Sequence, residues 1–408
     1  MEKLFTAISR LRNYVLELQQ NMTRLRAVSP ANGGRGEWQK AQYLESELKK
    51  FHFDEYFHAD ASCPDADGGV RPNIVAKRYG LDRSRTLWLM AHIDVVPEGD
   101  LALWNTPPFE VTLDADGDTI YGRGVEDNQQ AIAAALTVLH AIEETDTQIP
   151  VNLGIILLSD EETGNKYGLR HLLETCPDMF GPHDDFIVQD SGNADGSEIE
   201  IAEKNLFWLK FTVTGQQCHG AHPFDGINAF YAGSHLAIQL RDRLYARFDA
   251  RDELFDPPVS TFEPTKKEAN VPNINTVPGI DVFYMDSRVL SQYTEQMFIG
   301  EVGAITREIE IKYGVQVNYE FVNRNTSQAT PKDAPLVRKY AEAVKAVNGV
   351  DAKIIGIGGG TFAADIRNLG HHAVVGSKIY CNPHQPNEKS SLQFTLADAK
   401  VIAWILMH

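Results

Sequence analysis

The segment IILLSDEETG runs an apolar stretch directly into three acidic residues, Asp160, Glu161 and Glu162. Adjacent carboxylates repel one another, and beside an apolar interior this repulsion is costly unless a positive charge lies between them. A solvated loop would tolerate the same residues without any partner. The alternative is a site that holds a cation, and the other ligand-type residues of the chain must decide between the two.

Five further residues with metal-ligating side chains follow stretches that we expect to be strands. They are His92 and Asp94 in LMAHIDVVP, Asp127 in YGRGVEDN, Asp190 in FIVQDSG and His384 in CNPHQPNE. Each has an ordinary explanation by itself, as a hydrogen-bonded histidine, a helix N-cap or a turn aspartate. Open α/β sheets, however, bind their ligands at the carboxyl ends of the strands. Two imidazoles and at least three carboxylates converging there suit zinc or a similar divalent cation.

The elements that must position these residues alternate in type through the first half of the chain. TLWLMAHIDVV, VNLGIILLS and DFIVQDSG read as buried strands, and EDNQQAIAAALTVLHAIEE reads as a helix with one apolar face. Buried strands separated by helices predict an α/β domain whose mostly parallel sheet is covered by helices.

From about Leu206 the pattern changes to β-α-β-β-α-β, which is typical of a ferredoxin-like α+β domain. After Asn325 the first pattern returns. We therefore predict a discontinuous catalytic domain, residues 1–204 and 323–408, interrupted by a dimerisation or lid domain at 205–322.

Composition excludes several classes of partner. The 408 residues carry a net charge of −18, so nucleic acids and anionic membranes are poor partners. The four cysteines are scattered, which favours reduced thiols and a cytoplasmic location. The N-terminus lacks the apolar core of a signal peptide, and no apolar run approaches the ~18 residues that a membrane span needs.

Seven motifs together resemble the M20 metallopeptidase family, which includes acetylornithine deacetylase, succinyl-diaminopimelate desuccinylase, aminoacylase and several dipeptidases. They are AHIDVVP, YGRGVEDN, DEETG, CHGAHP, NTVPG with DSR, GGGT and PHQPNE. The resemblance covers nearly the whole chain and implies two divalent metal ions, with Zn²⁺ favoured and Co²⁺ or Mn²⁺ as alternatives. It implies that His92, Asp127 and Asp190 hold one ion and that Asp127, Glu162 and His384 hold the other.

The same resemblance assigns the catalytic roles. Glu161 would be the general base toward a water acidified by the two ions. Asp94 lies two residues past His92 on the same face of the strand, where it could hold the second imidazole nitrogen; otherwise it is a loop carboxylate. His219 of CHGAHP would cross a homodimer to stabilise the oxyanion in the neighbouring site, with His222 as the alternative.

Substrate binding would involve Asn275, Arg288, Gly360 and Thr361, which match the family motifs. An arginine fork suits a substrate carboxylate, although a surface strand charge would explain Arg288 equally well. The chain departs from the family where DNQQAI replaces Asp-x-Lys-Gly-Gly, where Cys218 replaces glycine, and where Asp365 replaces the arginine of some branches.

These features favour an amidohydrolase that cleaves a small N-acyl amino acid, of the desuccinylase or acetylornithine deacetylase type. A dipeptidase or aminopeptidase acting on a short peptide is the alternative within the family, and a non-catalytic dimeric binding protein is a remote one. A nucleotide-binding enzyme is disfavoured because GIGGGTF has Thr361 where the glycine fingerprint requires its last glycine.

Overall fold

In the computed structural model, which describes all residues 1–408, the chain divides into two compact units. Unit 1 comprises Met1–Ile201, Thr330–Ile355 and Thr361–His408, and unit 2 comprises Ala202–Ala329 and Gly356–Gly360. The loop Gly356–Gly360 thus groups with unit 2, whereas the boundaries expected from the sequence placed it in the catalytic domain.

The chain contains ten α-helices and nineteen strands. Helices α1 to α10 span Glu2–Arg10, Arg12–Arg24, Trp38–Leu48, Gln129–Thr145, Leu169–Thr175, Ala229–Arg247, Glu295–Tyr313, Pro335–Asn348, Phe362–Asn368 and Leu392–Met407. Strands β1 to β10 span Glu55–His58, Ala61–Ser62, Val70–Arg71, Ile74–Arg78, Asp82–His92, Thr112–Leu113, Thr119–Tyr121, Val151–Leu158, Asp185–Val188 and Glu198–Glu203. Strands β11 to β19 span Asn205–Thr214, Cys218–His219, Thr261–Lys267, Thr276–Val277, Ile280–Val289, Gln316–Asn325, Lys353–Ile357, His372–Val375 and Lys389–Ser391.

The main sheet of unit 1 has eight strands in the order β1-β4-β8-β5-β9-β18-β10-β17. The four central strands β8, β5, β9 and β18 are parallel, and their inner residues are almost continuously buried, as expected for strands covered on both faces. The pairs β1-β4, β4-β8 and β18-β10 are antiparallel. The α/β class is confirmed, but the sheet is mixed, because antiparallel strands extend the parallel centre on both sides.

Helix α4 covers the centre of this sheet. It is rich in alanine, is buried along almost its whole length and packs against β5, α1, α2 and α10. Small side chains let helices approach closely, so this helix fits between the sheet and the terminal helices.

Unit 2 contains a four-stranded antiparallel sheet in the order β13-β15-β11-β16, with helices α6 and α7 packed on it. Alternate residues of β15 are buried, which is the pattern of a sheet with one covered face. The core includes the stacked pairs Phe211–Phe283 and Phe207–Phe298, with ring centroids 4.9 and 5.0 Å apart. The β-α-β-β-α-β order confirms the ferredoxin-like α+β prediction.

Strand β13 is not evident from the sequence. Its segment TFEPTKK contains Pro264 and mostly polar residues, which disfavour a central strand. The structure accommodates the proline because β13 lies at the edge of the sheet and its pairing with β15 shifts between Pro264 and Lys266. As for membrane spans, no helix in the chain combines the length and the apolar character that crossing a bilayer requires.

Candidate metal centre

The candidate ligands begin at the carboxyl ends of three neighbouring parallel strands. Strand β5 ends at His92, and Asp190 follows the end of β9 by two residues. A short 3-10 turn, Glu161–Thr163, follows β8. Because β8, β5 and β9 are adjacent and parallel, their ends meet at one edge of the sheet.

Two loops bring in the remaining ligands. Asp127 lies just before the first turn of α4, and His384 lies in the loop that precedes β19. The Asp127 carboxylate has Oδ1 2.8 Å from His92 Nε2 and Oδ2 3.2 Å from His384 Nε2. Asp127 therefore stands between the two imidazoles, the position that the resemblance to the M20 family implies for a bridging ligand.

Each imidazole also faces a second carboxylate. His92 Nε2 is 3.4 Å from Asp190 Oδ1, and His384 Nε2 is 3.0 Å from Glu162 Oε2. The structure thus brings together all five residues that the sequence proposed as metal ligands, in two sets that share one aspartate. Two groups of three residues each have their ligand atoms within 4.8 Å of one another. The first group is His92, Asp127 and Glu162, and the second is His92, Glu161 and Asp190.

The donor set fits a pair of divalent cations. Four carboxylates converge on this pocket and only two imidazoles accompany them, so the pocket carries an excess of negative charge that cations would balance. The orientation of His92 fits as well. Its Nδ1 lies 3.0 Å from the main-chain oxygen of Asp94, and a carbonyl can only accept, so Nδ1 is the protonated nitrogen. Nε2 is then the nitrogen that points at the carboxylates and is placed to bind a cation.

The carboxylate of Asp94 was expected to hold the second imidazole nitrogen of His92, but in the structure the main-chain oxygen of Asp94 lies closer to that nitrogen. Its main-chain oxygen orients His92, whereas its carboxylate lies farther from the same nitrogen, at 3.5 Å. The carboxylate instead accepts hydrogen bonds from the backbone N–H groups of Glu161 and Glu162, each at 3.1 Å. Asp94 therefore holds the turn that carries the acidic pair, in addition to the imidazole.

The two acids of that turn differ in their surroundings. Burial and the nearby Asp190 carboxylate raise the pKa of Glu161 well above its usual range. Burial and Asp127 raise the pKa of Glu162 to about 7, although His384 opposes the shift. Burial would also raise the pKa of Asp127, but hydrogen bonds with His384 and His92 keep that pKa below its usual range.

Asn128 joins three segments of the site and was missed by the sequence analysis. Its Oδ1 accepts a hydrogen bond from the backbone N–H of His92 at 3.2 Å. Its Nδ2 donates to the oxygen of Gln189 and to Asp190 Oδ1, both at 2.8 Å. The signal was present in the DNQQAI segment, where the asparagine directly follows the bridging aspartate.

Glu388 supports the Asp127 loop from within the core. Its carboxylate accepts hydrogen bonds from Arg123 Nη1 at 2.7 Å and from the backbone N–H groups of Gly124, Glu126 and Asp127 at 3.0–3.1 Å. Both Arg123 and Glu388 are buried. Glu388 is the last residue of the motif PHQPNE, so a motif-level signal existed, but no role could be assigned without the loop that it contacts.

A buried arginine supports the acidic turn from the other side. Arg71 donates to Glu37 Oε2 at 2.6 Å and to Ser29 Oγ at 3.2 Å, and its Nη1 lies 3.4 Å from Asp160 Oδ1. Asp160 in turn accepts a short hydrogen bond from Thr163 Oγ1. The residue that precedes Glu161 is therefore fixed by a charge network and does not belong to a solvated loop.

Lys40 adds another buried cation near this network. Its side chain is almost fully buried, and it interacts electrostatically with Asp94, Glu37 and Glu388. Desolvation lowers the pKa of Lys40 to about 8 despite these three carboxylates.

The other predicted site residues lie mainly in unit 2. His219 is exposed and pairs in a short ladder with Thr276, next to Asn275. Arg288 is half-buried and its fork is occupied: Nε and Nη2 donate to Asp286 at 2.7 and 2.9 Å, and Nη1 donates to the oxygen of Gly358 at 2.6 Å. A substrate carboxylate at Arg288 would have to compete with Asp286.

Gly360 closes the loop that groups with unit 2, and Thr361 begins the following segment of unit 1. Thr361 caps helix α9, because its Oγ1 accepts the backbone N–H of Ala363 at 3.1 Å. Asp365, which replaces an arginine of some family branches, accepts a hydrogen bond from Asn165 at 3.1 Å and lies 3.7 Å from Arg170.

Replacing Glu388 by glutamine should lower the free energy of unfolding by roughly 3–5 kcal/mol, because Arg123 would remain as an uncompensated buried charge. Denaturant unfolding followed by circular dichroism measures the change. The control is Glu253→Gln, which removes the partner of Arg251 in an exposed ion pair and should leave stability nearly unchanged. Equal effects of the two substitutions would contradict the supporting role of Glu388.

Removing divalent cations with a chelator should lower the Tm, because the four carboxylates then repel one another across the pocket. A ligand that binds only the native state stabilises it by roughly 2.7 kcal/mol at a hundredfold excess over Kd. Differential scanning calorimetry with and without chelator tests this. In a His384→Ala variant the chelator should have a smaller effect, and an unchanged Tm in the wild-type protein would count against the centre.

Comparison with known proteins agrees with this geometry. The model of peptidase family M20/M25/M40 matches residues 88–408. An uncharacterized metallohydrolase of Methanococcus maripaludis is 36% identical over 409 residues, covering 96% of this chain and 98% of that protein. A succinyl-diaminopimelate desuccinylase of Paracoccus denitrificans is 29% identical over 327 residues, covering 78% of this chain and 80% of the relative.

Solved structures agree in fold. The structure of a di-peptidase from Saccharomyces cerevisiae has a TM-score of 0.77 and 16% identity, covering 100% of this chain and 98% of that one. At this identity the likeness concerns the fold alone. The family that the motifs predicted is confirmed by the family model and the full-length relative: the chain belongs to the M20 peptidase family and is a metallohydrolase.

Proposed function

We propose that this chain hydrolyses the amide bond of a small N-acyl amino acid. The proposal rests on the position of Glu161. This acid lies among the candidate ligands, and its carboxylate accepts no hydrogen bond. Similarity to a desuccinylase favours an N-acyl amino acid over a dipeptide as the substrate. The fold likeness to a di-peptidase carries less weight, because the identity is low.

Two divalent ions would be held by the residues around Asp127. One set consists of His92, Asp127 and Asp190, and the other consists of Asp127, Glu162 and His384. Mixed imidazole and carboxylate donors suit Zn²⁺, with Co²⁺ or Mn²⁺ as alternatives. When bound, such ions supply Lewis acidity at the scissile carbonyl and lower the pKa of water.

Glu161 moves the proton in this proposal. Its carboxylate accepts a proton from the attacking water and then donates it to the nitrogen of the leaving amine. Asp94 is a positioning residue, because it holds the backbone of the Glu161 turn and orients His92.

The remaining roles belong to residues that would contact the substrate. We assign oxyanion stabilisation to His219 acting from a second subunit of a homodimer, with His222 as the alternative. The substrate carboxylate would bind Asn275 and Arg288, and Gly360 and Thr361 would line the site. Arg288 would exchange its contact with Asp286 for the substrate.

Replacing Glu161 by glutamine should retain metal and lower kcat by roughly 10²–10⁴-fold, because the amide fills the same space but cannot accept the proton. The assay is a panel of N-succinyl amino acids, N-acetyl amino acids and dipeptides with Zn²⁺ or Co²⁺ added, together with metal analysis of each variant. The matched control is Glu162→Gln, which should lose metal as well as turnover. Near-normal turnover in Glu161→Gln would remove this residue from the mechanism.

The panel also separates the candidate functions. Fastest turnover of dipeptides would assign the chain to the dipeptidases. Absence of turnover with every substrate in a metal-loaded protein would favour a binding protein.

Mixing inactive subunits tests the dimer and the action of His219 in trans. Glu161→Gln and His219→Ala subunits, refolded together, should regain activity, because one site of the heterodimer combines an intact Glu161 with the partner's intact histidine. Light scattering reports the mass, and an excess of Glu161→Gln subunits should increase recovery per His219→Ala subunit. No recovery above either parent would refute trans action, and recovery with His222→Ala in place of His219→Ala would point to the alternative histidine.

A further inference from the structure

A cavity of about 460 Å³ that is lined by charged, imidazole and apolar groups lies at the edge of the unit 1 sheet opposite the candidate metal centre. Arg85 precedes the buried part of β5, Asp185 begins β9 and His372 begins β18. Asp185 pairs with Leu87 on one side and with His372 on the other, so the beginnings of the buried parts of β5, β9 and β18 lie side by side at this edge of the sheet. The remaining lining residues come from the adjoining loops and from helix α8: Pro182, His183, Asp184, Pro335, Lys339, Gly370 and His371.

Two permanent cations face this cavity. Lys339 on α8 is half-buried and forms no hydrogen bond or ion pair, and Arg85 is held only by a long contact of 3.4 Å to Asp185 Oδ2. Burial raises the pKa of the Asp185 carboxyl, and the positive charges of Arg85 and Lys339 oppose this rise. In a chain with a net charge of −18, these two cations balance the two carboxylates of the cavity, Asp184 and Asp185, so the cavity is not locally acidic.

The second acid of the cavity is already fully engaged elsewhere. Asp184 is buried and accepts hydrogen bonds from the backbone N–H groups of Thr86 and Gly181 and from Trp88 Nε1, at 2.8–2.9 Å. Its oxygens therefore point into the fold, and the free donors of the cavity are cationic groups and imidazoles.

Three histidines add donors around the same space. His371 packs against Phe180 and Phe186, with ring centroids 5.9 and 5.3 Å apart, which fixes its ring. His372 Nδ1 lies 3.8 Å from Asp185, and His183 is exposed at the rim. Imidazole N–H groups bind oxyanions when neutral and more strongly when protonated.

A second cavity of about 280 Å³ adjoins the first and shares Arg85, His183, Asp185 and Lys339 with it. Its other walls include the apolar side chains of Leu87, Leu336, Ile405 and Leu406, together with Asp82 and His408. The two cavities together offer cationic side chains beside apolar ones. This arrangement would suit a ligand with a charged head and an apolar body.

We propose that this pair of cavities binds a small organic phosphate monoester. The phosphate oxygens would accept hydrogen bonds from Arg85, Lys339 and the histidines, because a guanidinium fork and an ammonium are the groups that bind phosphate in proteins. The organic part would lie against the apolar walls of the second cavity. Arg85 and His92 lie seven positions apart on β5, about 23 Å of strand, so this site is distinct from the metal centre.

Titration calorimetry of the metal-loaded protein with phenyl phosphate tests the proposal. We expect one site per chain, with inorganic phosphate binding more weakly because it leaves the apolar walls uncovered. Arg85→Gln and Lys339→Gln should each weaken binding roughly tenfold, the effect of losing a charge-assisted hydrogen bond. The matched controls Arg83→Gln and Arg338→Gln remove the same charge from β5 and α8 at residues that do not line the cavities, and they should bind like the wild type.

A Glu162→Gln variant separates this site from the metal centre. Phenyl phosphate should bind this variant as it binds the wild type, and loss of binding there would place the ligand at the metal centre and overturn the proposal. No binding at millimolar concentration, or equal weakening by Arg338→Gln and Lys339→Gln, would overturn it too. Benzoate binding as tightly as phenyl phosphate would refute the phosphate class.

Discussion

Electrostatic repulsion among four carboxylates is the constraint around which unit 1 is organised. Asp127, Glu161, Glu162 and Asp190 converge at the ends of parallel strands, where burial strengthens every charge interaction. Such a pocket is stable only if its backbone is held firmly and its charge is balanced. Many of the buried polar side chains near this edge of the sheet hold the backbone of the pocket in place.

The backbone of the site is held by acids that are not candidate ligands. Asp94 binds the N–H groups of the Glu161 turn, and Glu388 binds those of the Asp127 loop. Glu126 does the same for the loop that leads to His384, through the N–H groups of Tyr380 and Asn382 at 2.6 and 2.8 Å. A carboxylate that accepts two or more N–H groups fixes a turn more tightly than a neutral acceptor would.

Buried cations accompany these supporting acids. Arg123 pairs with Glu388, and Arg71 pairs with Glu37 and approaches Asp160. Removing one partner of such a pair is far more damaging than removing a surface pair, because the remaining charge stays buried. The buried ion pairs that hold the backbone of the site therefore also make it sensitive to substitution.

His92, Glu162 and Asp190 could be placed together from the sequence because polar residues at the ends of adjacent parallel strands meet at one edge of the sheet. Asp127 and His384 lie in loops, and only the resemblance to the M20 family joined them to the same site. Asn128 and Glu388 escaped prediction because they act through backbone groups of segments that are distant in sequence. The ion pair between Arg288 and Asp286 could not be predicted from the sequence. A guanidinium group that could bind a substrate carboxylate can equally bind a carboxylate on its own strand. Strand β13 was missed because Pro264 and its polar neighbours carry no strand signal.

The place of β18 in the main sheet has a consequence for the nascent chain. This strand lies between β9 and β10, yet it is synthesised after the whole of Ala202–Ala329. Until it emerges, β9 and β10 expose unpaired edges, and α10, which packs on α1, α4 and α8, is still missing. Unit 2 has its four sheet strands in one continuous stretch and can fold first. A ribosome therefore carries a finished second unit beside an unfinished first one, whose strand edges stay open until residues 372–408 emerge.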